Sequence, residues 1–243
     1  MTLPRNILAI DTTFAACSAA LRVASEGGCH AAQTIERFEA MTTGHAERLV
    51  AMIADVLQEA AFEFDALDAL AVTVGPGTFT GTRIGVAAAR ALALAGTLPV
   101  YASTSLAVMA AIAHRTAPDT MPDRKHGVIA ACVDARRGQL YVQCFSDPAL
   151  PAIGAAILTR ADDVVAQLPS ECPIVAVGSG AEAVRDAAAR HGLTVMVGPV
   201  NLLPNASALF DVHLEEATQL RPLYLRPPDA KAQTGKSVRR REQ

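Results

Sequence analysis

One pattern occurs twice in this chain, and it constrains the fold more than any other feature. The segment NILAIDTTFAACSAALRV (Asn6–Val23) is an apolar strand ending in Asp11, a short polar turn and a second apolar strand. The segment GVIAACVDARRGQLYVQCF (Gly127–Phe145) keeps the same order. Asp134 answers Asp11, and Arg137-Gly138 fill the turn as Ala15-Ala16 do in the first copy. A repeat of this kind implies two copies of one architecture in tandem. With 243 residues, 51% of them hydrophobic, the chain can core one large unit or two small ones without covalent staples.

The surrounding pattern fits that reading. Strand-like runs at Ile7–Ile10, Cys17–Val23 and Cys29–Ile35 lead into a helix from His45 to Ala61. Gly44 stands at its N-cap and Glu47 in its first turn, while Leu49, Ile53, Val56, Leu57 and Ala60 keep helical spacing. A buried strand (Leu70–Val74), a glycine turn, a helix (Ile84–Ala95), a strand at Pro99–Tyr101 and a helix at Ser105–His114 follow. This order predicts an α/β fold: a ribonuclease-H-like mixed sheet flanked by helices. The second copy continues with a strand at Ile174–Val177, a helix at Ala181–His191 and a strand at Leu193–Val197. The expected division is an N-terminal unit over residues 1–116, a polar linker over 117–126, a smaller C-terminal unit over 127–225 and a disordered basic tail over 226–243.

The glycine turn TVGPGTFTGTRIGVAAARALA (Thr73–Ala93) invites comparison with phosphate cradles. A P-loop needs a lysine after its last glycine, and none is present. A dinucleotide fingerprint needs a third glycine and a later acid that holds the ribose. Gly75 and Gly77 fit the start, but Thr80 takes the third position, and no Asp or Glu occurs from Ala69 to Pro118. What remains is a permissive turn with Thr80 as N-cap, whose helix-start N–H groups would also suit an anion. The structural reading is favoured. In the helix, Gly81, Gly85, Ala88, Ala89 and Gly96 form a nearly bare face that lets a neighbour approach closely. That neighbour is either the His45–Ala61 helix or a helix of a partner chain.

Asp11, followed by Thr12 and Thr13, is placed to hold a magnesium-bound water or a phosphate. Asp and Thr also end ordinary strands, and the same two readings apply to Asp134. VGSGAEAV (Val177–Val184) is not a serine-hydrolase elbow, since Val177 stands where GxSxG needs glycine; Gly178 and Gly180 make either a remnant adenosine-type turn or a plain one. The six histidines are never four apart, so no HxxxH metal pair forms; one turn after His45 stands Leu49. Five cysteines without a CxxC pair suit buried, reduced thiols in a cytoplasmic chain, and neither a signal peptide nor a membrane span is legible. The net charge of −3 argues against a chain built mainly to hold nucleic acid. Its distribution is uneven: Arg226–Gln243 carries +4 and the remainder about −7, so the tail is a solvated end or an RNA contact.

The segments ILAIDTT, GHAERLV, GPGTFTGTRIGVAAARALA and VDARRGQLYV together resemble the bacterial TsaB family, also called YeaZ, of tRNA threonylcarbamoyladenosine biosynthesis. The similarity runs from Ile7 to Arg226, and the block GPGTFTGTRIG is its most specific part. The resemblance implies two tandem domains of the actin-like ATPase (ASKHA) superfamily. It implies a non-catalytic subunit of the machinery that modifies adenosine 37 of tRNAs reading ANN codons. The transfer itself belongs to the paralogue TsaD, which carries an HxxxH pair, and the ATPase TsaE is a third component. The implied TsaD contact, which also supports a homodimer, uses both helices through His45, Leu49, Val50, Ile53, Leu57, Arg83, Gly85, Ala88, Ala89 and Leu92. Asp11, Thr12, Thr13, Gly75, Gly77, Asp134, Gly178 and Gly180 would then be vestigial nucleotide-site positions. No metal and no cofactor of its own is expected, with ATP or ADP placed at a shared interface, and tRNA is met through the complex. The competing expectation is an ATP-dependent enzyme or metallopeptidase acting alone.

Overall fold

Two mixed sheets account for most of the regular structure. The computed structural model describes residues 4–24, 32–121, 126–169 and 171–226. The first sheet has six strands: β1 (Ile7–Asp11), β2 (Ala16–Val23), β3 (Gln33–Ala40), β4 (Ala69–Thr73), β5 (Val100–Ser103) and, from the far end of the chain, β11 (Glu215–Glu216). Their order is β11-β5-β4-β1-β2-β3. The second sheet runs β10-β9-β6-β7-β8, with β6 Val128–Asp134, β7 Leu140–Phe145, β8 Ile157–Thr159, β9 Ile174–Val177 and β10 Met196–Val197.

The sequence repeat is a repeat of pairing. β1 pairs antiparallel with β2 and parallel with β4, and β6 pairs antiparallel with β7 and parallel with β9. Asp11 and Asp134 each end the central strand of their sheet. Side chains alternate across a strand, so an unbroken apolar run means both faces are covered. Ile7 and Ala9 face one core, while Leu8 and Ile10 face another beneath α1 (His45–Glu59) and α2 (Phe79–Gly96). β6 does the same: Ile129 and Ala131 point to the first core, and Ala130 and Cys132 to a third against α5 (Ala181–Arg190).

The first core lies between the sheets, and α3 (Ser105–Thr116) fills it. Residues Ser105 to Ala113 are all buried. Thr104 starts this helix by accepting the Ala107 N–H at 3.0 Å. A short helix, α4 (Ala161–Val165), packs on α5 beside the third core. Helix α1 begins at Gly44, which takes a left-handed conformation (φ 82°), and buries Leu49, Met52, Ile53 and Val56 along one stripe. Truncating Leu49 to alanine there would cost about 2–5 kcal/mol.

Several expected elements shift. The third strand was expected at Cys29–Ile35; residues 25–31 lie outside the described set, and β3 runs Gln33–Ala40. It is an edge strand with only Ile35 buried, so its sequence lacks an apolar run. Helix α2 starts at Phe79 rather than Ile84, and its N-cap is Thr78, not Thr80. Helix α3 extends to Thr116, while residues 122–125 of the expected linker and 227–243 of the expected tail lie outside the described set. No helix of the described residues is long and apolar enough to cross a membrane.

Candidate functional site

The two aspartate-ended strands and the glycine turns behind them define two corners, one per sheet. In the first, Asp11 is fully buried. Its carboxylate accepts the Thr13 N–H at 3.2 Å and the Thr13 hydroxyl at 2.9 Å, and it also accepts the Thr73 hydroxyl from the parallel neighbour β4. Burial pushes the Asp11 carboxyl above its ordinary value, opposed by the hydroxyls of Thr73 and Thr13 and by His45. The group is enclosed by its own chain.

The glycine turn closes the same corner. A Cβ on Gly77 would collide with the Thr13 carbonyl, and one on Gly81 with the Thr12 carbonyl. One on Gly85 would lie 2.8 Å from the Thr12 hydroxyl. The Thr78 N–H donates to the Thr13 carbonyl at 2.7 Å, and the Thr12 hydroxyl donates to the Gly81 carbonyl at 2.7 Å. Thr78 Oγ1 accepts the Gly81 N–H at 3.1 Å. The glycine turn thus packs directly on the Thr12–Thr13 backbone that follows β1. Gly75 has φ 104° and its peptide bond to Pro76 is cis.

The second corner is more open. Asp134 is exposed, its carboxylate accepting the Arg136 N–H at 2.7 Å while its own N–H donates to Ser179 Oγ at 3.0 Å. The Gly180 N–H donates to the Cys132 carbonyl at 2.9 Å, and a Cβ on Gly178 would lie 2.5 Å from that oxygen. The structure therefore brings Asp11, Thr12, Thr13 and Gly77 together in one corner and Asp134, Gly178 and Gly180 in the other. A cleft of about 700 Å³ separates β5 and β11 from β7 and the loop that follows β7. Within it Thr104 Oγ1 donates to Gln143 Oε1 at 2.7 Å, and Gln143 Nε2 to the Gly154 carbonyl at 3.3 Å.

The expected contact helices divide differently from the sequence reading. His45, Leu49, Ile53, Gly85 and Ala89 face inward and are buried within the chain. Gly81 and Gly85 of the bare face of α2 thus meet Thr12, which follows β1, and Gly85 also Val72 of β4, while α2 also touches α1. Leu57, Ala88 and Leu92 are half-buried, Arg83 is exposed and Val50 is 68% exposed. The exposed residues of α1 include Ala46, Val50, Ala51 and Ala54, interleaved with Glu47, Gln58 and Glu59. The outer face of α2 carries Ala87, Ala91 and Leu94, the last 86% exposed. His45 has its Nε2 3.1 Å from the Phe14 carbonyl, and no group of three His, Cys, Asp or Glu side chains among the described residues is arranged for a metal ion. Burial pushes the Cys17 thiol up to about 11, so it is no nucleophile at neutral pH.

Sequence reasoning missed a cluster at the start of α2. Arg83 stacks on the Phe79 ring (3.6 Å to its centroid), and Arg83 Nε donates to the Tyr224 hydroxyl at 2.6 Å. The two rings lie 5.4 Å apart, with Phe79 51% and Tyr224 44% exposed. No spacing links residues 141 positions apart, so local periodicity carried no signal for it.

Two repeats of an antiparallel pair with a parallel neighbour, each backed by a glycine turn and a helix, define an α/β protein of two mixed sheets flanked by helices, an arrangement consistent with the actin-like ATPase fold. Residues 39–187 match the family described as TsaD, tRNA N6-adenosine threonylcarbamoyltransferase. A tRNA threonylcarbamoyladenosine biosynthesis protein TsaB of Escherichia coli is 37% identical over 138 residues, covering 56% of this chain and 53% of that protein. The chain spans about half the length of the curated TsaB relatives it matches. An uncharacterised protein of Mycobacterium bovis is 34% identical over 196 residues, 81% of this chain and 82% of that protein. A solved Pseudomonas aeruginosa YeaZ structure shares 28% identity and superposes with a TM-score of 0.70 over 91% of this chain and all of the other. The chain belongs to this family, on its TsaB (YeaZ) branch.

Proposed function

We propose that this chain is a non-catalytic subunit of the machinery that places threonylcarbamoyl on adenosine 37 of tRNAs reading ANN codons, where it binds and supports the transferase TsaD, with TsaE as a further component. The observation that carries this reading is the closed first corner. The buried Asp11 is held by Thr13 and Thr73, and the glycine turn packs on the Thr12–Thr13 backbone without an open cradle between them. A chain whose buried carboxylate is taken up by its own threonines would contribute surface. The exposed small and apolar residues of α1 and α2 (Ala46, Val50, Ala54, Ala87, Ala91 and Leu94) would supply that surface, rimmed by charged side chains, since a partner helix packs closely against small side chains. They would serve a second copy of the chain when TsaD is absent. No cofactor of its own belongs to this reading, and ATP or ADP would bind only where the chain meets its partner.

The test is co-purification with TsaD, with the mass of the complex measured. Gly85 and Ala89 are unsuitable positions because they are structural. The double substitution Val50→Asp with Leu94→Asp lies on exposed sites and should leave stability within about 0.5 kcal/mol. It should abolish the complex. An unchanged affinity for TsaD would assign the contact elsewhere.

A further inference from the structure

We infer that residues 220–226 form a strap that passes the state of the α2 surface to the second corner, so that a partner taking hold of Arg83 or Phe79 loosens the turn between β6 and β7. The stretch after β11 has no regular structure, and it is tied to both halves of the molecule. On the first half, Arg90 of α2 donates to the Leu220 carbonyl, the Leu223 N–H donates to the Val74 carbonyl at 2.7 Å, and Arg83 of α2 donates to the Tyr224 hydroxyl. On the second, Arg226 Nη2 donates to the Ala135 carbonyl at 2.8 Å and to Gln139 Oε1 at 2.9 Å, with the Arg136 carbonyl at 3.4 Å. Only Leu225 separates the residue tied to α2 from the residue tied to the turn. Each residue spans at most about 3.6 Å of extended chain, so a link this short absorbs little displacement of either end.

The two ends differ in kind. At the α2 end the Arg83 guanidinium lies 3.6 Å from the Phe79 ring centre and 5.6 Å from that of Tyr224. Arg83 and both rings are exposed, so this clasp is made of surface groups. A docking chain that pairs with Arg83 through a carboxylate, or covers Phe79, would compete with Tyr224 for the same guanidinium. At the other end the backbone is strained. Arg136 (φ 64°) and Arg137 (φ 58°) are both left-handed, a conformation that persists in residues with a Cβ only where the surroundings impose it. Here Asp134 accepts the Arg136 N–H, the Gln139 N–H donates to the Arg136 carbonyl at 3.1 Å, and Arg226 reaches the carbonyls of Ala135 and Arg136. Without Arg226 the strained turn, which begins at Asp134, keeps fewer of its restraints. A surface clasp at one end and a strained element at the other make a switchable link.

The choice of α2 as the contacted surface rests on the function proposed above. The link within the chain does not, and the test separates them. Amide hydrogen exchange of the full chain is read at Ala135, Arg136 and Gln139, whose N–H groups are all bonded within the turn. Tyr224→Phe removes only the hydroxyl, Arg83→Met only the charged fork, and both residues bond away from the turn. Each should speed exchange at the turn about three-fold or more, the scale set by one hydrogen bond to a charged group. Arg226→Gln should speed it about ten-fold or more, and neither other substitution should add to that effect. The β6 amides from Ile129 to Val133 should keep their wild-type rates. If Arg226→Gln speeds those as well, Tyr224→Phe and Arg83→Met decide alone. TsaD added to the wild-type chain should speed exchange at the turn, and added to Arg226→Gln should leave it unchanged.

A turn unaltered by either Tyr224→Phe or Arg83→Met overturns the inference. So does an equal effect of these two with and without Arg226, or TsaD that binds and leaves the turn as it was. TsaD that fails to bind while the link within the chain holds overturns only the subunit reading.

Discussion

Alanine at Gly85 should change the sign of its effect with the residue at position 12. Within a helix, Gly→Ala is ordinarily stabilising by about 1 kcal/mol. Here the added Cβ would lie 2.8 Å from the Thr12 hydroxyl, which is fixed by its bond to the Gly81 carbonyl. Overpacking of this kind costs about 1–3 kcal/mol, so Gly85→Ala alone should be neutral to destabilising by about 2 kcal/mol. In a Thr12→Ala background the next neighbours are Val72 Cγ2 at 3.9 Å and the backbone nitrogen of residue 12 at 4.0 Å, ordinary contact distances. Gly85→Ala should then gain its helix propensity, giving a coupling energy of about 1–3 kcal/mol in the double-mutant cycle. Gly81→Ala is the control. Its clash is with the Thr12 carbonyl, which no side-chain change removes, so it should destabilise in both backgrounds. Urea unfolding followed by circular dichroism measures every corner of the cycle. An equal effect of Gly85→Ala in both backgrounds, or rescue of Gly81→Ala by Thr12→Ala, would refute the account of the closed corner.

Two further outcomes follow from the same corner. Because the folded Asp11 carboxyl titrates above its unfolded value, the folded state binds more protons, and this group's contribution to stability falls as pH rises from about 4 through the folded pKa. Asp11→Asn should remove that penalty, so its stability relative to wild type should improve from acid to neutral pH in denaturant titrations; a mutant that falls behind as pH rises would contradict the burial argument. Thr78→Ala removes the cap on α2 and should cost about 1 kcal/mol, or about 2–4 °C in the thermal midpoint of a chain this size. No loss there would place the helix start elsewhere.

The repeat carried most of the fold, because an unbroken apolar strand ending in aspartate has few places to sit other than the middle of a covered sheet. β1 and β6 were legible for that reason, and β9 as a short unbroken apolar run before a glycine turn. β3 was not, since an edge strand needs only one buried residue, and Gln33–Ala40 reads as polar. The start of α2 was misplaced because Thr-Phe-Thr-Gly-Thr has turn chemistry; it is the close approach of Thr12 and Thr13 that makes glycine necessary there. The inner and outer faces of α2 were confused for a related reason. A helix of glycine and alanine has no contrast between its sides, so spacing finds the bare stripe without saying which way it points. The Tyr224–Arg83–Phe79 cluster depends on the chain returning to the first sheet, which local patterning does not encode.

That return, with α3, has a mechanical consequence. Proteins that work by opening and closing two lobes need a joint whose surfaces can part at little cost. Here nine consecutive residues of α3 are buried between the sheets, and β11 adds a strand to the first sheet after the chain has left the second. Parting the halves would strip an apolar helix and pull at the two-residue β11, so the two sheets should melt as one unit. If the chain works as the subunit proposed above, that coupling would let it present its helices to a partner in one orientation.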